Sequence, residues 1–186
     1  GLRDHHPSRA VIVLPGGAAD RIDARVELIP HGGPSRREDL HVEQIVLTLH
    51  GAVVAHARSA VIPLLRSDLP TFLWWPAAPD PALPQFAGLS RIADRLVTET
   101  GRTHRGGNAI ANLTAVTAAS SAPTTDLAWA VITPWRQLLN GSLRGEELLR
   151  VRVGAPRVRV TGPVGTPSLE ALLLAGWLRV VIGTHT

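Results

Sequence analysis

The side chains in this sequence best suited to chemistry are its histidines and arginines. The histidines are His5, His6, His31, His41, His50, His56, His104 and His185. None stands at a metal-ligand spacing from another histidine or a carboxylate on an expected helix. Adjacent His5 and His6 point apart in extended chain, so no metal site is expected. Nucleophilic catalysis also lacks a signature: there is no G-x-S-x-G elbow and no cysteine. The chain is therefore expected to be neither an enzyme nor the carrier of a cofactor.

Arginine is concentrated in two places. "TGRTHRGGN", Thr100 to Asn108, sets Arg102, His104 and Arg105 beside Gly106-Gly107 where a helix should open. Free N–H groups at a helix start, together with arginines, can hold a phosphate or carboxylate. Neither a Walker A nor a G-x-G-x-x-G pattern is present, and a basic loop before a capped helix is the plainer reading. The second place is "RVRVGAPRVRV", Arg150 to Val160. A hairpin turning at Gly154-Ala155 pairs Arg152 with Arg157 and Arg150 with Arg159. Like charges directly opposite destabilise a sheet, so this face is either solvated or a docking surface for an acidic partner.

The elements that must position these groups alternate. Ser8–Pro15 contains an apolar, β-branched run and reads as a buried strand. Asp20–Ile29 alternates apolar with charged residues, a strand with one wet face, and should form a hairpin with Leu40–Gly51. Ala52–Asp68 has helical spacing interrupted at Pro63. Leu69–Trp75 reads as a strand, Pro84–Arg95 as a helix, Arg95–Thr100 as a strand, and Asn108–Ser121 as a helix with Asn108 as candidate cap. Thr124–Gly141 is either one helix kinked at Pro134 or a second helix begun by Thr133-Pro134. Leu148–Gly162 should be a second hairpin. Thr166–Gly183 should be a buried helix opened by Thr166-Pro167 and closed by Gly183. The expected class is α/β: a single domain over residues 1–186, with a mixed sheet, flanking helices and two β-hairpins.

Composition narrows the function classes. Of the 186 residues 45% are apolar, yet no apolar run reaches the ~18 residues of a membrane span. No basic segment precedes an apolar one as in a secretory signal, so a cytoplasmic location is expected. The chain starts at Gly1 and contains no Met, which suits the central part of a longer protein. All 19 basic residues are arginine, but the net charge is only +4. Few aromatics interleave with them, so neither a nucleic acid nor a membrane is an expected partner.

The five tryptophans are the remaining signal. Trp74 and Trp75 stand together at the end of "DLPTFLWWP", and a strand sends neighbouring side chains to opposite faces. Either the two indoles fill separate buried layers, or one is an exposed anchor of the kind interfaces favour. "HHPSRAVIVLP", "VEQIVLTLHG", "VIPLLRSDLPTFLWWP", "DLAWAVITPWRQLL" and "LLLAGWL" occur in that order. Together they resemble the glucose-6-phosphate dehydrogenase assembly protein family, OpcA, from Asp4 to about Ile182. The resemblance implies a non-enzymatic role: binding glucose-6-phosphate dehydrogenase, promoting its oligomeric assembly and activating it. It supplies no catalytic motif.

The positions matching the motifs are His6, Pro7, Ser8, Arg9, Glu43, Gln44, Trp74, Trp75, Trp129, Trp135 and Arg136. Trp129 and Trp177, among apolar helix neighbours, are expected in the core. Glu43-Gln44 would cap or satisfy buried backbone, and Arg9 would pair with Asp126. The partner-binding candidates are Trp74, Trp75, Trp135, Arg136, Arg150, Arg152, Arg157 and Arg159. Arg102, His104 and Arg105 form a weaker anion-binding set. A regulatory domain binding a sugar phosphate is the competing reading, and self-association is left open.

Overall fold

The computed structural model describes residues 9–30, 41–76, 79–104, 106–143, 145–146, 157, 159 and 165–183. Its class is α/β, with strands in two three-stranded sheets. The chain divides into two compact units, residues 1–69 with 83–92, and residues 70–82 with 93–186.

The first unit holds β1 (Arg9–Pro15), β2 (Arg21–Pro30) and β3 (His41–His50) in the order β1-β3-β2. β2 and β3 form the expected antiparallel hairpin, and β1 runs parallel to β3. The register puts Val11, Val13, Ile45, Leu47 and Leu49 on one face with Ile22, Ala24, Val26 and Leu28. Ile45, Leu47 and Leu49 are buried there. Short helical segments follow: 3-10 turns at Gly51–His56 and Ile62–Leu64, around α1 (Ala57–Val61). With α2 (Pro84–Ser90) they add buried Ala57, Val61, Phe86 and Leu89. Full burial of side chains the size of Val61, Phe86 and Leu89 stabilises by roughly 1.5–3 kcal/mol each.

Two expectations are corrected in this unit. β1 is not a buried strand: Ile12 and Leu14 are exposed, because the register puts them on the face that carries Asp23 and Arg25, away from Ile45, Leu47 and Leu49. Arg9 does not pair with Asp126. It grips Glu43 at 2.7–2.8 Å and donates to the Leu64 carbonyl at 2.8 Å. That uses Glu43 as an ion-pair partner rather than a backbone cap, and Gln44 donates to Glu27 at 3.1 Å.

His50 is a buried polar residue of this unit. Its Nδ1 accepts from the Gly17 N–H at 2.8 Å, which leaves the ring proton on Nε2 facing Asp23 at 3.0 Å. A Cβ on Gly16 would run into the His50 ring. Gly16→Ala is therefore expected to lower stability by about 1–3 kcal/mol, the usual cost of overpacking. Urea denaturation checks this, and an unchanged midpoint would show that the ring can yield.

The second unit holds β4 (Phe72–Trp75), β5 (Arg95–Thr98) and β6 (Thr124–Asp126), all parallel in the order β4-β5-β6. Around them lie α3 (Thr100–Thr103), α4 (Gly107–Ala119), α5 (Leu127–Val131), α6 (Thr133–Ser142) and α7 (Leu169–Ile182). β4 starts three residues later than expected, after Pro70, whose missing N–H cannot join a ladder. α2 stops at Ser90 rather than reaching Arg95. β6 was hidden in the sequence because it is only three residues long. The segment after it contains a second helix, begun at Thr133-Pro134, rather than one kinked helix. α7 is capped by Ser168, whose hydroxyl accepts from the Ala171 N–H, and not by Thr166; Gly183 closes it in the left-handed region. Gly106, not Asn108, precedes α4. It sits at φ 58, and a Cβ there would meet Thr166, so glycine serves both the backbone angle and the contact. The expected hairpin at Leu148–Gly162 falls outside the described residues except for Arg157 and Arg159.

Candidate partner-docking site

Parallel strands normally have both faces covered. Among the described residues of the second unit only one face is. The register sets Leu73, Trp75, Leu96, Thr98, Thr124 and Asp126 on one side. Leu96, Thr98 and Asp126 are buried and Trp75 is half-buried. On the other side lie Phe72, Trp74, Arg95, Val97 and Thr125. Here Phe72 is 62% and Trp74 59% exposed. Arg95 lies along this face, its Nη1 donating to Thr125 Oγ1 at 2.9 Å. The result is an aromatic pair on a rigid strand, bordered by a positioned guanidinium.

The covered side is tied together by Asp126. Its Oδ1 accepts from the Ala128 N–H at 2.9 Å, capping α5. Its Oδ2 accepts from Thr98 Oγ1 at 2.9 Å and from the Thr100 N–H at 2.8 Å. One carboxylate thus joins the ends of β5 and β6 to the starts of α3 and α5. Beside it, Ala109, Ala128 and Leu169 form a core cluster with Ile110 and Leu173 packed against it.

The remaining candidates separate. Trp135 is 59% exposed and Leu138 61%, one helical turn apart on the same face of α6. Arg136 points elsewhere. Its Cζ lies 3.9 Å above the Trp129 ring, and its Nη2 donates to Thr133 Oγ1 at 2.8 Å and to the Trp129 carbonyl at 3.3 Å. Trp129 and Trp177 are half-buried rather than in the core, and the Arg136 guanidinium covers one face of Trp129. Arg136→Lys keeps the charge but loses the planar stack. It is expected to cost about 1 kcal/mol and to change tryptophan fluorescence; identical spectra and melts would count against the stack.

Arg157 and Arg159 are exposed, while Arg150 and Arg152 lie outside the described residues. Arg102 is exposed and pairs with Glu99 at 3.3 Å. His104 is half-buried with Nδ1 3.0 Å from Thr103 Oγ1, and Arg105 is outside the described residues. So are His6, Pro7 and Ser8. Among the described residues no group of His, Asp or Glu could hold a metal ion, and no helix is long and apolar enough to cross a membrane. Phe72 and Leu138 were missed in the sequence. Phe72 stands two residues before Trp74 in a strand, and Leu138 three after Trp135 in a helix, so both spacings were readable.

Comparison with known proteins settles the family. The glucose-6-phosphate dehydrogenase subunit N-terminal domain family, the OpcA assembly family, matches residues 2–116. The chain belongs to this family. A curated relative from Nostoc punctiforme, described as an OxPP cycle protein OpcA, is 30% identical over 134 residues. That match covers 71% of this chain and 28% of the relative, so the matched part is less than a third of that protein. The OpcA match takes in all of β1 to β5 and most of α4, including Phe72, Trp74 and Trp75. α6, with Trp135 and Arg136, lies beyond it.

Proposed function

We propose that the chain is a non-enzymatic assembly factor that docks glucose-6-phosphate dehydrogenase, promotes its oligomeric assembly and activates it in the oxidative pentose phosphate pathway. The observation that carries this reading is the open aromatic face of the second sheet, Phe72 and Trp74, in a chain of the OpcA family. Exposed aromatics held on a rigid strand lose little side-chain entropy when a partner covers them, which is why interfaces favour them. The exposed Trp135–Leu138 pair on α6 is a second apolar patch within the same unit.

The competing reading, a regulatory site for a sugar phosphate, fits less well. In open α/β sheets such ligands sit at the carboxyl ends of the strands. Here that edge carries Asp126, a buried carboxylate engaged by two backbone N–H groups and a hydroxyl. Arg102, the described arginine of the anion candidates, already faces Glu99.

The test mixes the chain with its host's dehydrogenase and follows dehydrogenase activity together with complex mass by light scattering. The expected result is no turnover by the chain alone, a heavier complex, and a higher dehydrogenase rate. If the masses stay separate and the rate unchanged, with the full-length protein as well as this chain, the reading fails.

A further inference from the structure

The first unit has an uncovered feature of its own. β2 is an edge strand of ten residues, and its outer side has no strand partner among the described residues. On the apolar face Ile22 is 50%, Val26 61% and Leu28 66% exposed. On the other face Arg21, Asp23, Arg25 and Glu27 alternate in sign and are all at least partly exposed. Natural proteins protect long edges of this kind, because unpaired N–H and C=O groups template pairing with another chain.

We propose that β2 pairs with β2 of a second copy of this chain, antiparallel about a two-fold axis at Ala24. In that register Arg21 stands opposite Glu27 of the second copy, Asp23 opposite Arg25, and Ile22 opposite Val26. Every charged pair across the junction is then of opposite sign, Ile22 meets Val26 and Ala24 meets its own copy, while Leu28 lies beyond the paired stretch, opposite Asp20. The neighbouring registers that keep the faces aligned pair like charges instead. Centring on Asp23 opposes Asp23 to itself and Arg21 to Arg25. Centring on Arg25 opposes Arg25 to itself and Asp23 to Glu27. A shift by one residue places charged side chains among apolar ones. Centring on Ile22 or Val26 also opposes unlike charges, but only at Arg21–Asp23 or Arg25–Glu27, whereas the Ala24 register matches both Arg21–Glu27 and Asp23–Arg25. Opposite-charge cross-strand pairs stabilise and like-charge pairs destabilise, so the charge order of β2 favours the Ala24 register and is complementary to a second copy of itself. The joined sheets form a six-stranded sheet with a continuous apolar face. This surface belongs to the first unit and shares no residue with the Phe72–Trp74 face of the second, and the dimer is tested without dehydrogenase, so its failure is distinguishable from failure of dehydrogenase binding.

The test uses the whole 186-residue chain, without dehydrogenase, in sedimentation-velocity runs over a concentration series. The parent chain is expected to dimerise, and to do so less tightly at high salt. Asp23→Arg and Arg25→Asp each turn both central pairs repulsive, and each is expected to raise the dimer dissociation constant at least about tenfold. Mixed one to one, the two variants regain opposite signs at both positions, and a heterodimer should form. Asp23 also faces His50; should Asp23→Arg fail to fold, the separate variants Arg21→Glu and Glu27→Arg, each repulsive at the 21–27 pairs alone and complementary when mixed, test the same register. A monomeric parent chain overturns the proposal. So does a dimer that both reversals leave intact, or one that the mixture does not restore.

Discussion

Trp74→Ala is expected to weaken dehydrogenase binding about 30-fold, a hot-spot loss of about 2 kcal/mol, while leaving the chain's own stability almost unchanged. Its indole is 59% exposed on the open sheet face, so truncation leaves no cavity. Trp75→Ala is expected to do the opposite. That indole is half-buried on the face that carries Leu96, Thr98 and Asp126, and its loss should cost roughly 2 kcal/mol or more in cavity and transfer terms. Urea midpoints and a titration of dehydrogenase activation, run on both variants, separate the two effects. Phe72→Ala should follow Trp74→Ala, since the two share a face. If Trp74→Ala loses stability but binds normally, the open face is not the docking surface.

The largest effect on folding is expected at Asp126. Removing its carboxylate in Asp126→Ala strands two backbone N–H groups and the Thr98 hydroxyl, all in buried surroundings. Each buried donor left unsatisfied costs about 1–3 kcal/mol, so a total of roughly 3–5 kcal/mol is expected. Thr98→Val removes one donor without orphaning a group of comparable need, and should cost only about 1 kcal/mol. Chemical denaturation of the two variants side by side gives the comparison. Near-equal costs would mean that water replaces the carboxylate and that the network is not what joins these elements.

Neither outcome could have been ranked from the residue string. "TTDLAWA" offered Asp126 as one acidic residue among several, and the expected partner for it was Arg9. What makes it central is that β5 and β6 end side by side, which brings together residues 26 and 28 positions apart. β6 itself is three residues long and has no periodicity to detect. The β2–β3 hairpin was the reverse case. Ten residues of alternation on each side of turn chemistry specify a register by themselves, because a one-residue slip would turn every apolar side chain over.

The arginines divide along the same line. Charge reading grouped Arg136 with the exposed arginines as a partner-binding candidate. Its stacking on Trp129 depends on the break between α5 and α6 at Ile132, which lets residues seven apart meet. Spacing alone could not separate that arginine from the exposed Arg157 and Arg159.

The sequence by itself determined that Trp74 and Trp75 lie on opposite faces of a strand, that β2 carries alternating charge opposite an apolar stripe, and that the motifs are those of the OpcA family. These follow from periods of two residues and from the order of rare residue types, both local properties of the chain. Only the tertiary structure decided that Trp74 is the exposed indole, that Arg9 holds Glu43, and that Asp126 joins the ends of two strands. Exposure depends on what covers a face, and the covering elements come from positions far away in the sequence.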